Sequence, residues 1–167
     1  MIDVKETAAE GLVLIKPRVF TDSRGYFVET FNARALEAQG LPSKFVQDNQ
    51  SFSKRGVLRG LHFQRAPYAQ TKLVRAIQGR ILDVVVDLRP DSATFKQVFS
   101  FEHAFLVLSE TALVAYKCDD FYAPESDGGI VYNDPDLAIE WPLPSSELIV
   151  SEKDQKLPTL KEHLSRG

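Results

Sequence analysis

From residue 45 onward the chain alternates between short apolar-rich stretches and small groups of glycine, proline, asparagine or aspartate. Successive side chains of a strand point to opposite faces, so this two-residue rhythm predicts strands. The stretches 57–64, 72–77, 80–88, 98–108 and 111–118 carry it. Gln78-Gly79, between two of them, reads as the tight connection of a hairpin, and Ala66-Pro67-Tyr68 as a turn. Further upstream, residues 11–19 predict an edge strand, because Pro17 removes a ladder donor near its end. Thr21-Asp22-Ser23-Arg24-Gly25 reads as a turn. Residues 26–31 then alternate again, with Tyr26, Val28 and Thr30 on one face and Phe27, Glu29 and Phe31 on the other. Helical signals are few. Asn32 can cap a short helix that runs to Glu37 and is ended by Gly40 and Pro42, and Ser151-Glu152-Lys153-Asp154 can open a second. The region after Tyr122 is richer in Pro, Asp and Gly and predicts loops, packed on the body by Trp141 and Pro142. Many short strands with frequent turns predict a mainly β sandwich or barrel with a few short helices, as a single domain over residues 1–167.

Composition narrows the function classes. At 167 residues, 44% hydrophobic and 26% charged, the chain can bury a core of its own. Cys118 is the only cysteine, which excludes intrachain disulfides and Cys-rich metal sites and leads us to expect a reducing, cytoplasmic setting. No apolar run approaches the roughly 20 residues that span a bilayer. The start Met1-Ile2-Asp3-Val4-Lys5-Glu6 is unlike a secretory leader. A net charge of −3 predicts no general attraction to nucleic acid. Arg24, Arg55, Arg59, Lys72 and Arg75 can still supply a local anion site.

The candidate chemistry follows from strand geometry. In Leu58-Arg59-Gly60-Leu61-His62-Phe63, residues 58, 60 and 62 share a face. If that face lines a cavity, His62 points inward beside the bare Gly60, and Arg59 needs a strand end or a twist to reach the same ligand. Asp83 and Asp87 share a face with Ile81 and Val85, so each carboxylate must be paired or solvated; Lys72 is a candidate partner. Such a Lys–Asp pair can be purely structural or can stabilise a developing negative oxygen. His62, His103 and His163 are the only histidines, and none stands in a metal-ligand spacing; His163, in a polar C-terminal stretch, is expected in solvent. Phosphate-loop, dinucleotide and nucleophile-elbow patterns are absent. Tyr116 and Tyr122 are packing residues or, if exposed beside Arg59 or Arg24, a platform for a base whose phosphates the arginines grip. Residues alone lead to a β domain for an anionic, ring-containing ligand.

The run Lys54-Arg55-Gly56-Val57-Leu58-Arg59-Gly60-Leu61-His62-Phe63-Gln64 resembles the dTDP-4-dehydrorhamnose 3,5-epimerase family. So do Asp22-Ser23-Arg24-Gly25-Tyr26-Phe27, Gln47-Asp48-Asn49-Gln50-Ser51, Lys72-Leu73-Val74-Arg75 and Leu82-Asp83-Val84-Val85-Val86-Asp87-Leu88-Arg89. Tyr122-Ala123-Pro124-Glu125, Asn133-Asp134-Pro135-Asp136 and Ser151-Glu152-Lys153-Asp154 complete the set, in family order over nearly the whole chain. The resemblance implies a cupin-like jelly-roll homodimer that needs no metal or organic cofactor and acts on a dTDP-4-keto-6-deoxyhexose. It further implies His62 as general base with Asp154 orienting it, Lys72 facing the ketone oxygen, Tyr116 as general acid and Asp83 near Lys72. Tyr122 is implied as the thymine-stacking residue. Arg24, Gln47, Asn49 and Arg59 are implied at the nucleotide or its diphosphate, with Phe27 and Glu29 beside them. His103, in the Phe-Glu-His-Ala-Phe stretch, joins the expected substrate-binding residues.

One stretch departs from the family pattern. Lys96-Gln97-Val98-Phe99-Ser100 runs almost directly into Phe101-Glu102-His103-Ala104-Phe105, leaving out about sixteen residues near 96–102, the length of about two strands. Glu102 also stands where the family has a small residue. The expected activity is epimerisation at C3 and C5 of dTDP-4-dehydro-6-deoxy-D-glucose. The alternatives are a single-centre epimerase of a related sugar nucleotide and a non-catalytic sugar-nucleotide-binding or structural dimer.

Overall fold

In the computed structural model, residues 2–165 are described, with the side chains of 101–105 outside the description. The chain divides into two compact units, Met1–Lys44 and Phe45–Gly167.

In the first unit, β1 (Ile2–Glu6) pairs antiparallel with β2 (Val13–Pro17), and Pro17 closes the strand, as expected for an edge. β3 (Val19–Asp22) and β4 (Gly25–Val28) form a hairpin whose tip is fixed by Asp22 Oδ1, which accepts from the Arg24 amide at 2.8 Å. α1 (Ala33–Glu37) begins where expected, with Asn32 Oδ1 accepting from the Ala35 amide at 3.1 Å. It ends in a left-handed Gly40 (φ +70°), whose amide reaches Glu37 while the Leu41 amide reaches Leu36. Leu36, 4% exposed, is the buried side of this short helix.

The second unit holds β5 (Gln47–Lys54), β6 (Val57–Leu58), β7 (His62–Gln64), β8 (Lys72–Gln78), β9 (Ile81–Val86), β10 (Val98–Val107), β11 (Thr111–Cys118), β12 (Asp127–Gly129) and β13 (Ile149–Val150), with α2 (Glu152–Gln155) and α3 (Leu160–Ser165). Its strands form sheets in the orders β13-β6-β10-β9 and β5-β11-β8, with β12-β7 as a separate ribbon. The first two sheets share a core: Ile81 and Val107 from one, and Ala112 and Val114 from the other, pack with Val74 and Ala76. A further cluster seats Leu58, Leu106 and Leu143 beneath Trp141, whose indole donates to the Tyr132 carbonyl at 2.9 Å. A third joins Ile130, Leu137 and Leu160. Burying each such aliphatic side chain is worth about 1.5–3 kcal/mol. Among the described residues, no helix is long and apolar enough to cross a membrane.

Two strand expectations are corrected. The stretch 57–64 is not one strand: β6 pairs with β10 and β13, β7 pairs with β12, and the chain changes sheet at Gly60 (φ +143°), a conformation that favours glycine. The face-sharing of residues 58, 60 and 62 therefore does not apply. Nor do β8 and β9 form a hairpin, since β8 pairs with β11 and β9 with β10. Gly79 (φ +83°) carries the chain between sheets, and a Cβ there would strike the Thr111 carbonyl. The register of β10 on β9 shifts between Phe101 and Leu106, within the stretch that departs from the family pattern.

Candidate active site

The floor of the candidate site follows from strand register. Residues directly opposite one another in a sheet point to the same face. Gln47, Cys118 and Lys72 stand in one cross-strand row, and Asn49, Tyr116 and Val74 in another. Along β11 the inner face thus runs from apolar core at Ala112 and Val114 to a polar end at Tyr116 and Cys118. There it opens into a cavity of about 170 Å³ lined by Gln47, Asn49, His62, Lys72, Tyr116 and Tyr122. These six sequence-predicted residues come from β5, β7, β8, β11 and the loop after it.

His62 is held from behind. Its Nε2 lies 2.8 Å from Asp154 Oδ1, and the Gly60 amide donates to Oδ2 at 3.4 Å. The Asp154 side chain is 5% exposed and the imidazole 34%, so the pair has one buried and one open side. Asp154 gets there because Ser151 caps α2, its Oγ accepting from the Asp154 amide at 3.1 Å. With Nε2–H donated to the carboxylate, Nδ1 is the basic nitrogen.

Tyr116 has its pKa raised, first by burial and then by Cys118, against a smaller opposing pull from Arg59. It stays protonated at neutral pH, as a proton donor must. The Lys72 ammonium sits 5.8 Å from the centroid of its ring. Burial also raises the Cys118 thiol, which keeps it protonated. On β9, burial pushes the half-buried Asp83 carboxyl up to about 7 against the pull of Lys72. No Lys72–Asp83 contact within 4.0 Å occurs among the described residues, so a direct ion pair is replaced by attraction at longer range. Asp87 is instead paired outside the strand, with Arg89 at 2.8 Å, and that guanidinium holds its pKa well below the carboxylate range.

The remaining predicted residues lie elsewhere. Arg59 donates to Ser53 Oγ at 3.2 Å. Arg24, Phe27 and Glu29 belong to the first unit, where Arg24 pairs with Asp22 at 2.6 Å, Phe27 is 69% exposed, and Glu29 accepts from Asn32 at 2.9 Å. His103 lies in β10, and its side chain is outside the description. His163 is not solvated as expected: its Nδ1 is buried without a hydrogen-bond partner among the described residues, and its ring meets Phe63 edge-on at 5.1 Å. Among the described residues, no three His, Cys, Asp or Glu side chains gather to hold a metal ion.

The geometry adds two charged residues that the sequence reading left out. Asp127 and Lys153 line the same cavity and pair at 2.5 Å, and the Tyr122 hydroxyl donates to Asp127 at 3.2 Å. Burial would raise the Asp127 pKa, but Lys153, Tyr122 and the His62 charge together outweigh it and hold the carboxyl below its usual value. Lys153 was visible inside the Ser-Glu-Lys-Asp run; Asp127, next to Gly128-Gly129, carried only a turn signal.

Comparison with known proteins gives a consistent result. The sequence matches the model of a family described as dTDP-4-dehydrorhamnose 3,5-epimerase over residues 6–102 and 100–162. It is similar to the dTDP-4-dehydrorhamnose 3,5-epimerase of Methanothermobacter thermautotrophicus, 47% identical over 175 residues, covering 95% of this chain and 94% of the relative. It is also similar to the crystal structure of the Bacillus anthracis enzyme of that name with TDP and PPi bound. The TM-score is 0.90 at 43% identity, over 96% of this chain and 100% of the other. A 3′-monoepimerase from Streptomyces bikiniensis, in complex with dTDP-quinovose, aligns with a TM-score of 0.81 at 33% identity, over 89% and 84% of the two chains.

Proposed function

Since this chain belongs to the dTDP-4-dehydrorhamnose 3,5-epimerase family, we propose that its cavity inverts C3 and C5 of dTDP-4-dehydro-6-deoxy-D-glucose, giving dTDP-4-dehydro-L-rhamnose. The chain is an isomerase with the mainly β, jelly-roll fold of the solved epimerases. The observation that carries the mechanism is the His62–Asp154 pair at 2.8 Å on the wall of the cavity that also holds Lys72 and Tyr116.

Both C3 and C5 flank the C4 ketone, so either C–H proton can leave if the resulting enolate is stabilised. Nδ1 of neutral His62 takes the proton, and Asp154 stabilises the imidazolium on its other nitrogen. The C–H electron pair moves to O4, where the charge of Lys72 counts for more as the oxygen becomes anionic. Tyr116 returns a proton to the carbon from the opposite face of the ring, and inversion is that change of face. His62 then loses its proton to solvent and the tyrosinate regains one, so the cycle needs no metal or organic cofactor. Asp83 supports Lys72 electrostatically. Tyr122 stacks on thymine, and Gln47, Asn49 and Arg59 hold the nucleotide.

The same reading includes a cytoplasmic homodimer. Exposed Val19, Phe20, Tyr26 and Phe27 on the first unit supply apolar surface for a second copy. Arg24, Phe27, Glu29 and His103 keep their substrate-binding role in that reading. We take the two units as parts of one epimerase domain that tolerates the short segment near 96–102.

Nuclear magnetic resonance of substrate and protein in deuterated water tests the proposal. Deuterium entering C3 and C5 with inversion at both supports it, and binding without exchange at either carbon overturns it. Exchange with inversion at one carbon alone would favour the second reading, a single-centre epimerase, to which the likeness with the 3′-monoepimerase points.

A further inference from the structure

The loop that carries Tyr122 is held by side-chain amides rather than by a sheet. Gln70 Nε2 donates to the Asp120 carbonyl at 2.8 Å, and Gln64 Nε2 to the Phe121 carbonyl at 3.2 Å. The Tyr122 amide donates to Gln47 Oε1 at 3.0 Å, and the Ala123 amide to Gln64 Oε1 at 2.8 Å. Four consecutive residues thus each have a backbone group bound by one of three glutamines, which come from β5, from β7 and from the approach to β8. Loop backbone of this kind would otherwise exchange its partners with water and move freely.

Gln64 is the centre of this arrangement. It is 8% exposed, and its Nε2 also donates to the Tyr68 carbonyl at 2.7 Å. Both amide hydrogens are therefore used within the protein and Oε1 is already an acceptor, which leaves no donor for a ligand. Its two bonds to the Tyr122 loop fall on the residues immediately before and after Tyr122. The exposed ring (53%) is thus presented on a backbone fixed from beneath, with its hydroxyl tied to Asp127.

We propose that Gln64 is a positioning residue for nucleotide recognition, fixing the loop 120–123 so that Tyr122 offers its ring to the base before substrate arrives. The inference rests on the reading of Tyr122 as the thymine-stacking residue. A flat aromatic ring gives its full stacking contact only if its orientation is set in advance, since ordering it on binding would consume part of the gain. Gln64 acts through Tyr122 and touches no reacting atom.

The test is a double-mutant cycle on the full-length protein with Gln64→Met, which keeps the length and removes the amide, and Tyr122→Ala. The readouts are KM, kcat and the dissociation constant of dTDP. Gln64→Met should weaken dTDP binding and raise KM by about tenfold, the scale of one base–aromatic stack, while kcat changes less than about threefold, since the reacting groups are untouched. In the Tyr122→Ala background the same substitution should change dTDP binding less than about twofold, because its only route is already gone. An equal loss in both backgrounds, or a fall in kcat without a change in KM, overturns the role of Gln64. If Tyr122→Ala alone leaves dTDP binding unchanged, the reading of Tyr122 fails instead. Gln64→Glu keeps the acceptor for the Ala123 amide but turns a carboxylate oxygen toward the Tyr68 and Phe121 carbonyls, so it should weaken dTDP binding by about tenfold or more; unchanged affinity in folded Gln64→Glu overturns the role of Gln64 even if Gln64→Met folds poorly.

Discussion

His62 Nε2 and Asp154 Oδ1 lie 2.8 Å apart although 92 residues separate them in the chain. The carboxylate is buried, accepts a second bond from the Gly60 amide, and is set by the cap of α2. An imidazole that donates from Nε2 to such a carboxylate is held in one orientation with Nδ1 left as its acceptor.

Replacing the carboxylate tests that statement. Asp154→Asn should lower kcat by about 10⁴-fold, as losing an orienting carboxylate does in other acid–base arrangements. The dissociation constant of dTDP should stay within about twofold of wild type, since Asp154 does not line the cavity. His62→Ala should remove deuterium exchange at both C3 and C5. Steady-state kinetics, calorimetric titration and exchange measurements check the three outcomes.

Tyr116 should separate deprotonation from inversion. Burial and Cys118 raise its pKa, so it is a protonated donor at working pH. Tyr116→Phe should therefore allow deuterium exchange with retained configuration, while the rate of inverted product falls by about 10²-fold or more. Resonance assignments at both ring carbons distinguish exchange from inversion; parallel loss of both would remove the donor role.

Asp83 predicts a pH dependence of stability. Its pKa is raised from an ordinary 3.8 to about 7, chiefly by burial. The folded chain therefore binds this proton more tightly than the unfolded chain. The stabilising contribution is full below about pH 4 and is lost as pH rises through about 7. Asp83→Asn should remove that slope and gain relative to wild type between pH 5 and pH 8, by at most about 4 kcal/mol. Urea unfolding of both proteins at the two pH values checks it, and parallel pH profiles would refute it.

Asp134 should matter for stability rather than chemistry. It is 2% exposed and accepts from the Asp136, Leu137 and Leu160 amides at 2.9, 3.0 and 2.7 Å, which ties the loop after β12 to the start of α3. Asp134→Ala leaves the buried Leu137 and Leu160 amides and the part-buried Asp136 amide unpaired and should destabilise the protein by about 3 kcal/mol or more. Denaturant titration measures the loss, and kcat per folded molecule should be unchanged.

Much of the architecture was legible along the chain because the signals were local. The limits of β11, the Asn32 cap of α1, the Ser151 cap of α2 and the Pro17 edge follow from alternation and capping within a few residues. The resemblance of quoted motifs to one family identified His62, Lys72, Tyr116, Tyr122, Gln47, Asn49 and Asp154 as a set, and the fold brings them to one cavity or directly behind it.

Sequence by itself determined the mainly β class, the strand-forming stretches and the short capped helices, since each depends on residue type and near neighbours. Tertiary structure alone decided that the chain breaks at Gly60 and that Gly79 leads between sheets rather than around a hairpin. It also decided that Asp127 meets Lys153, that the half-buried His163 ring meets Phe63, and that three glutamines converge on the Tyr122 loop. The reason is physical: periodicity states which face a side chain takes within its own strand, whereas strand pairing across the sheets decides what stands opposite it, and with that its burial, partner and charge state.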